Sequence, residues 1–373
     1  MESSLKSPPL YQKAFLIAKN IFKNVYKLVT WYRLYQVQND AHIWVWMVDR
    51  RGFMKLGVDL GGTKIEAVVL DGQKVLWRQR VATPKNDYGQ TLQAIASLVG
   101  EAKQVCGLSQ GEAIGIGAPG ALTDSVTGPR VMKNCNSVVL NGKPLLEDLK
   151  RLLACEVYLE NDANCFALAE TLAGSGKEGF GAQVPEISFG VILGTGVGSG
   201  LVVNGKVLAG LHSIAGEWGH NCLPALELDK LPEPERGRLC YCGRKDCIET
   251  YLSGPGLAMS YHLRYAQVLS SEEIISAMRA KDAKAADIWQ SYLNQLAASL
   301  AQVVNILDPQ IIILGGGMSN IIEIYSDINE RMAAHVFTEH AKTPIVCAKL
   351  GDSAGVYGAA YLGEGQGGLK GFG

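Results

Sequence analysis

One histidine and three cysteines have the types and spacing of a metal centre: His220, then Cys240-Tyr-Cys242-Gly-Arg-Lys-Asp-Cys247. An imidazole and three thiolates suffice for a closed tetrahedral zinc site, and the glycine inside the C-x-C-x₄-C run lets the chain double back around one ion. Cys222 competes for the fourth position, and free thiols are the plain alternative. Closed coordination leaves no open position for water, so such a zinc would organise its loop rather than catalyse. The stretch Ala215-Gly-Glu217-Trp-Gly-His220 sets a carboxylate beside the histidine, and Glu249 follows just after the cysteine run. Adjacent sugar hydroxyls each need a donor and an acceptor, which suits Glu217, His220 and Glu249, with an amide from Asn134 or Asn136. Any one of these taken singly reads equally well as a surface polar group.

Glycine loops bring a second chemistry. In Asp59-Leu60-Gly61-Gly62-Thr63-Lys64 the glycines after an apolar run let the backbone approach an anion, and Thr63 offers a hydroxyl to a phosphate oxygen. Asp59 could hold hydrated Mg²⁺. Gly194-Thr195-Gly196-Val197-Gly198 repeats the device, and two such loops facing one cleft suit a nucleoside triphosphate. A third cluster, Gly315-Gly316-Gly317, leaves room for a flat ring such as adenine, or is a tight strand-to-helix turn. No Walker A sequence occurs. Glu160-Asn161-Asp162 follows an apolar strand and opens a helix, so Asp162 is either the helix N-cap or a base that takes a proton from an attacking hydroxyl.

The elements that must carry these groups come in two copies. Lys55 to Leu60, Ile65 to Leu70 and Val75 to Ala82 read as a three-stranded meander with an Asp71-Gly72 turn; Ile187 to Leu193, Gly198 to Val203 and Lys206 to Ala209 repeat it with an Asn204-Gly205 turn. Between and after them the pattern predicts a helix from about Gly89 to Cys106, strands Ala113 to Gly117 and Val157 to Leu159, a helix from Cys165 to Leu172, the helix Ala283 to Leu307 and the strand Gln310 to Leu314. Strands alternating with helices and opening twice on glycine loops predict an α/β protein of two lobes around a cleft.

With 373 residues, 47% of them hydrophobic and 19% charged, the chain can fill about two domains. A net charge of −1 gives no electrostatic footprint for nucleic acid. Nine scattered cysteines without a secretory pattern predict a reducing cytoplasm rather than a disulfide framework. Residues 1–53 differ in character, with eight Lys and Arg against three Asp and Glu. The stretch Ala14 to Tyr35 is too interrupted by charge to span a membrane and could form a basic amphipathic helix. The segment reads as a targeting helix, a partner-binding arm or, the favoured reading, non-native sequence ahead of a true start at Met54.

Taken together, Asp59-x-Gly-Gly-Thr63-Lys64, Gly117-Ala-Pro-Gly120, Glu160-Asn-Asp162, Gly194-Thr-Gly196-x-Gly198, Glu217-x-Gly-His220 and Cys240 to Cys247 with Glu249 resemble the ROK family of sugar kinases, from Met54 to about Gly363. The resemblance implies the hexokinase/actin-like ATPase fold, ribonuclease H-like, with duplicated βββαβα units. It implies ATP, Mg²⁺ and structural zinc as cofactors and Asp162 as base. Asn161, Glu217, His220 and Glu249 would bind sugar, with Asn136 beside them, and His220 with Cys240, Cys242 and Cys247 would bind zinc. It further implies a homodimer; the charge balance and the interrupted apolar stretch predict no nucleic acid or membrane partner. The lobes would be residues 54–174, completed by a helix at about 352–363, and 175–351; a Gly-rich tail, 364–373, would be disordered. Lys133-Asn-Cys-Asn136-Ser, Leu140-Asn-Gly-Lys-Pro144-Leu and Asn305-Ile-Leu-Asp-Pro309 resemble most the family's fructokinases, so fructose, with mannose second, is the expected substrate. A glucokinase, an N-acetylhexosamine kinase and a sugar-responsive repressor are the alternatives; the repressor would need a helix-turn-helix that residues 1–53 do not show.

Overall fold

The computed structural model describes residues 35–37, 41–43, 54–125, 128–135, 137–181 and 183–363. The expected amphipathic helix short of residue 35, Asn136 and the tail from residue 364 lie outside the described residues. Contacts divide the chain into Met1–Met54 and Lys55–Gly373. In the first unit Tyr35–Val37 (β1) and Ala41–Ile43 (β2) pair antiparallel.

Met54–Leu60 (β3), Lys64–Asp71 (β4) and Lys74–Ala82 (β5) form the first meander, turned at Gly72 with φ 61°. β4 is buried almost throughout, whereas β5 alternates and carries Lys74, Arg78 and Arg80, as suits an edge strand. Ile114–Ala118 (β6) adds parallel to β3. A short hairpin, Ala121–Thr123 (β7) with Val131–Lys133 (β8), intervenes before Val157–Asn161 (β9) adds parallel to β6, giving the order β5-β4-β3-β6-β9. The second sheet repeats this strand for strand. Ile187–Leu193 (β10), Val197–Val203 (β11), Lys206–Val207 (β12), Ile311–Gly315 (β13) and Ile345–Cys347 (β14) run in the order β12-β11-β10-β13-β14. Both sheets are antiparallel in the meander and parallel beyond it, so the duplicated two-lobed α/β architecture is present.

Two helices are clasped between the sheets. Asp162–Ala173 leaves β9 but lies on the second sheet, where a Cβ on Gly200 would stand 2.8 Å from Ala163 O. Ala354–Tyr361 follows β14 but lies on the first, where a Cβ on Gly57 or Gly115 would overlap the backbone of Ala360 or Ala359. The helices cross at Gly358, which touches the Cys165 backbone so closely that no side chain fits. Fully buried Glu170 holds the arrangement: its carboxylate accepts backbone N–H groups from Ser175 at 3.0 Å, Lys349 at 2.9 Å and Leu350 at 2.7 Å.

The helix Ala283–Leu307, capped by Asp282, buries an apolar face with Tyr292, Leu296 and Leu300 against the second sheet's outer layer, which includes Trp218, Tyr251 and Leu252. That packing fixes the segments carrying Glu217 and Glu249: Trp218 Nε1 donates to Ser299 O at 3.2 Å, and Tyr292 OH to Leu252 O at 3.0 Å. Gly315-Gly316-Gly317 leads not into an α-helix but into a pair of 3-10 turns, Gly317–Asn320 and Ile322–Ser326. Among the described residues no helix is long and apolar enough to cross a membrane.

Candidate active site

Strand β9 continues to Asn161 and the helix begins at once with Asp162, ahead of the expected start at Cys165. The N-cap is Asn161: its Oδ1 accepts from Ala163 N at 2.8 Å, while its Nδ2 donates to Gly120 O at 2.9 Å. This corrects the capping alternative for Asp162, which occupies the first helical position. Asp162 Oδ1 also accepts from Ala163 N, at 2.8 Å, and the carboxylate opens to the cleft. Protein encloses it on its other sides and raises its pKa by desolvation, against the lowering effect of the Ala163 N–H. Glu160 points elsewhere, accepting from Asn161 N at 3.0 Å and Asn164 Nδ2 at 3.1 Å.

Asp59, at the end of β3, is pushed up to about 6 by burial first, then by the charges of Asp162 and Glu66; Lys64 and Arg80 act the other way. The carboxylates of Asp59 and Asp162, at the ends of β3 and β9 on either side of β6, thus repel one another, a state that a cation would relieve. Glu66 is itself neutralised, paired with Arg78 and, at 2.8 Å, with Arg80.

Three adjoining cavities meet here. One of about 710 Å³ is lined by Asn134, Asn161, Asp162, Glu217, His220 and Glu249. A second, of about 460 Å³, contains Asp59, Gly61, Gly62, Gly315, Gly316, Gly317 and again Asp162. A third, of about 770 Å³, joins Gly194, Thr195 and Gly317 to an apolar slot of Pro255, Ala258, Ile275, Met318 and Ile321. Asp162 therefore stands at the junction of the sugar-sized cleft and the glycine-lined cavity. Gly196 also lines the first cleft, where a Cβ would come within 2.5 Å of Glu249 Oε2; that oxygen accepts from Val197 N at 3.0 Å. Thr63 and Lys64 do not line the cavity that holds Gly61 and Gly62: Thr63 is exposed, with its carbonyl accepting from Thr83 N at 3.0 Å. Past the glycines the hairpin is already pairing into the sheet, which turns both side chains aside.

The ligand atoms of His220, Cys240, Cys242 and Cys247 lie within 4.8 Å of one another. A tetrahedral zinc with bonds of the usual length spaces two sulfurs ~3.8 Å and a sulfur and nitrogen ~3.5 Å apart. Cys242 Sγ and Cys247 Sγ are 3.6 Å apart, and Cys240 Sγ and His220 Nδ1 are 3.6 Å apart, so the four residues fit that ion. Exposed Cys222 is outside the group. Glu217, open to the cleft on one side, is raised by desolvation; the charge of His220 lowers it, and those of Asp162 and Glu249 raise it.

Fold and site together define an ATP-dependent sugar kinase with two actin-like lobes. The chain belongs to the ROK family, whose sequence model matches residues 55–366. It is 40% identical over 315 residues to an N-acetyl-D-glucosamine kinase of Yersinia pseudotuberculosis, covering 83% of this chain and 98% of that protein. Among solved structures, a ROK hexokinase from Thermus thermophilus is 33% identical with a TM-score of 0.70, covering 83% of this chain and 97% of the other. A ROK glucokinase from Streptomyces griseus, in complex with glucose and AMPPNP, is 28% identical with a TM-score of 0.60, covering 83% and 98%.

Reading the sequence missed the apolar slot and Tyr241. Ser253-Gly-Pro255 carries a visible helix start, with the serine side chain accepting from Gly256 N at 3.0 Å, but nothing local shows that Pro255 faces Ile275 and Met318. Tyr241 hides between two cysteines. Its OH lies 2.9 Å from His220 Nε2.

Proposed function

We propose that this sugar kinase phosphorylates N-acetyl-D-glucosamine, transferring the γ-phosphoryl group of ATP to the sugar's primary 6-hydroxyl. The fructose expectation rests on short segments, one of which contains Asn136; against it stands 40% identity to N-acetyl-D-glucosamine kinases across 98% of their length. For the chemistry, the carrying observation is that Asp162 lines both the sugar-sized cleft and the cavity with Asp59 and the glycine clusters.

In this reading Glu217, His220, Glu249 and Asn161 hold the sugar, and Asp162 takes the proton of the attacking hydroxyl. Its raised pKa suits that role, because a base works best when its pKa lies near the working pH. Gly61, Gly62, Gly194, Thr195 and Gly196 present backbone to the phosphates, while Gly315, Gly316 and Gly317 with the apolar slot take the adenine. Asp59 holds Mg²⁺, which carries positive charge to the phosphates when bound. His220, Cys240, Cys242 and Cys247 hold zinc, whose part is to fix the loop next to Glu249. Closure of the lobes excludes water.

We also assign residues 54–174 with the helix Ala354–Tyr361 to one lobe, 175–351 to the other and 1–53 to an extension. Nine free cysteines fit a reducing cytoplasm. A screen of ADP release over N-acetylglucosamine, N-acetylmannosamine, glucose, mannose and fructose tests the substrate. The expected result is the highest kcat/KM with N-acetylglucosamine; a clear lead for fructose would restore the fructokinase reading.

A further inference from the structure

Behind the wall of the sugar cleft lies a fourth cavity, of about 680 Å³, which none of the roles above uses. It shares Gly120 and Asn161 with that cleft, and the bond from Asn161 Nδ2 to Gly120 O lies in the partition between them. Both halves of the molecule line it. The first supplies Arg130, Lys150, Tyr158 and Glu160, the second Lys206, Leu211 and Ser213. A hydrogen bond joins the two, Arg130 Nη2 donating to Ser213 Oγ at 2.6 Å.

Three cations face this cavity, and none is paired with a buried carboxylate. Lys206 has no carboxylate partner among the described residues. Lys150 pairs with Glu156 at 2.7 Å and Arg130 with Asp124 at 3.4 Å, but those carboxylates are 54% and 90% exposed, and ion pairs in solvent contribute little. Glu160 brings acceptor capacity. Asn161 N and Asn164 Nδ2 both donate to its Oε1, which leaves Oε2 without a bond from any described residue. Tyr158 is half-buried, and Leu211, 88% exposed, adds an apolar surface. Guanidinium and ammonium groups recognise phosphate, a free carboxylate oxygen recognises hydroxyls, and a few such polar groups among apolar ones make a small-molecule site.

We propose that this cavity is a second ligand site, for a phosphorylated sugar: Lys206, Arg130 and Lys150 take the phosphate, Glu160 Oε2 accepts from sugar hydroxyls, and Tyr158 and Leu211 cover the ring. Its volume suits such a ligand, since small-molecule sites run from about 300 to 1,000 Å³. A ligand that touches both halves is bound best at one spacing between them, so its occupancy biases the lobe closure proposed above.

The test is calorimetric titration of the full-length protein with glucose 6-phosphate, after the active site has been filled with AMPPNP and the sugar preferred in the screen above. Filling it first keeps the ester out of the sugar cleft, and the result does not depend on which sugar the screen selects. One equivalent of the ester should bind. Lys206→Gln should weaken that binding by about tenfold, the loss of one charge-assisted contact. In the absence of the ester the same variant should keep kcat and both KM values within about twofold of wild type, which also shows that it is folded. Inorganic phosphate should bind about tenfold more weakly than the ester, having no hydroxyls for Glu160. No binding to the filled enzyme, or binding that Lys206→Gln leaves within about twofold, overturns the proposal. Equal affinity for inorganic phosphate and the ester overturns the assignment of a sugar.

Discussion

The two sheets share one topology yet place different chemistry at the strand ends that line the cleft. In the first, β3 carries Asp59 next to its last residue and β9 runs into Asp162, and both carboxyls are raised by their surroundings. In the second, β10, the counterpart of β3, ends at Leu193 before Gly194-Thr195-Gly196, and β13, the counterpart of β6, ends in Gly315 before Gly316-Gly317, so these ends offer mainly backbone and space. The acidic groups of the second half, Glu217 and Glu249, come from segments outside its sheet. Duplication thus supplies two similar frames, and on the proposed reading the division of labour between them makes a site: charge to move a proton and hold a cation on one side, amides and room for a polyanion on the other. Were both halves acidic, a triphosphate would be repelled; were both bare, nothing would accept the proton.

The sharpest way to break this contrast is Asp162→Asn, which removes charge from the first half without changing its shape. A positioned base contributes about 10² to 10⁴ in rate, so kcat should fall by that factor while sugar binding, read by calorimetry, survives. Near-normal kcat would remove Asp162 from the chemistry. Next in size is the joint between the halves. Gly358→Val drives a branched side chain into the Cys165 backbone where the two helices cross, and overpacking of this kind costs about 3 kcal/mol or more. Thermal or urea unfolding should show the loss, and an unchanged midpoint would mean that the helices are not held in this contact. The second half is probed by Gly196→Ala, whose added methyl meets Glu249 Oε2 at 2.5 Å. Displacing that carboxylate should raise the sugar KM by about tenfold to a hundredfold, a hydrogen bond to a charged group being worth about 1.5–3 kcal/mol. An ATP KM that rises instead would assign the loop to nucleotide alone.

The features that proved legible in the sequence are those written in short stretches. Two meanders, their glycine turns and the helix Ala283–Leu307 follow from local periodicity, and the metal quartet from the spacing of Cys240, Cys242 and Cys247 with one upstream histidine. What escaped was decided between distant segments. Whether Asn161 or Asp162 caps the helix depends on Gly120 O, forty-one residues away, which orients the Asn161 amide. That Thr63 and Lys64 leave the glycine cavity depends on pairing of β4 with β5. The slot of Pro255, Ile275 and Met318 is assembled from three separate segments, and each central helix lies on the sheet of the other half because glycines there admit it. For the sugar, a few fructokinase-like residues point one way and similarity over 315 residues another.

The smallest effect is also the one that separates function from stability in the acidic half. Folding raises the Asp59 carboxyl from its ordinary 3.8 to about 6. The folded state therefore holds that proton more tightly than the unfolded chain, so this group's stabilising contribution is complete below about 3.8 and is lost as pH rises through about 6. Above that point the empty protein carries an ionised Asp59 facing Asp162 and Glu66 at a cost on the order of 1–3 kcal/mol. Asp59→Asn removes the charge and should raise the melting temperature at pH 7.5, by an amount that shrinks to nothing near pH 4. Mg·ATP should stabilise wild type more than the variant, because only wild type has a charge for the cation to neutralise, and the variant should lose activity as it gains stability. A variant no more stable than wild type at pH 7.5 would show that the carboxylates of the first half do not strain one another, and the contrast between the halves would then rest on Asp162 alone.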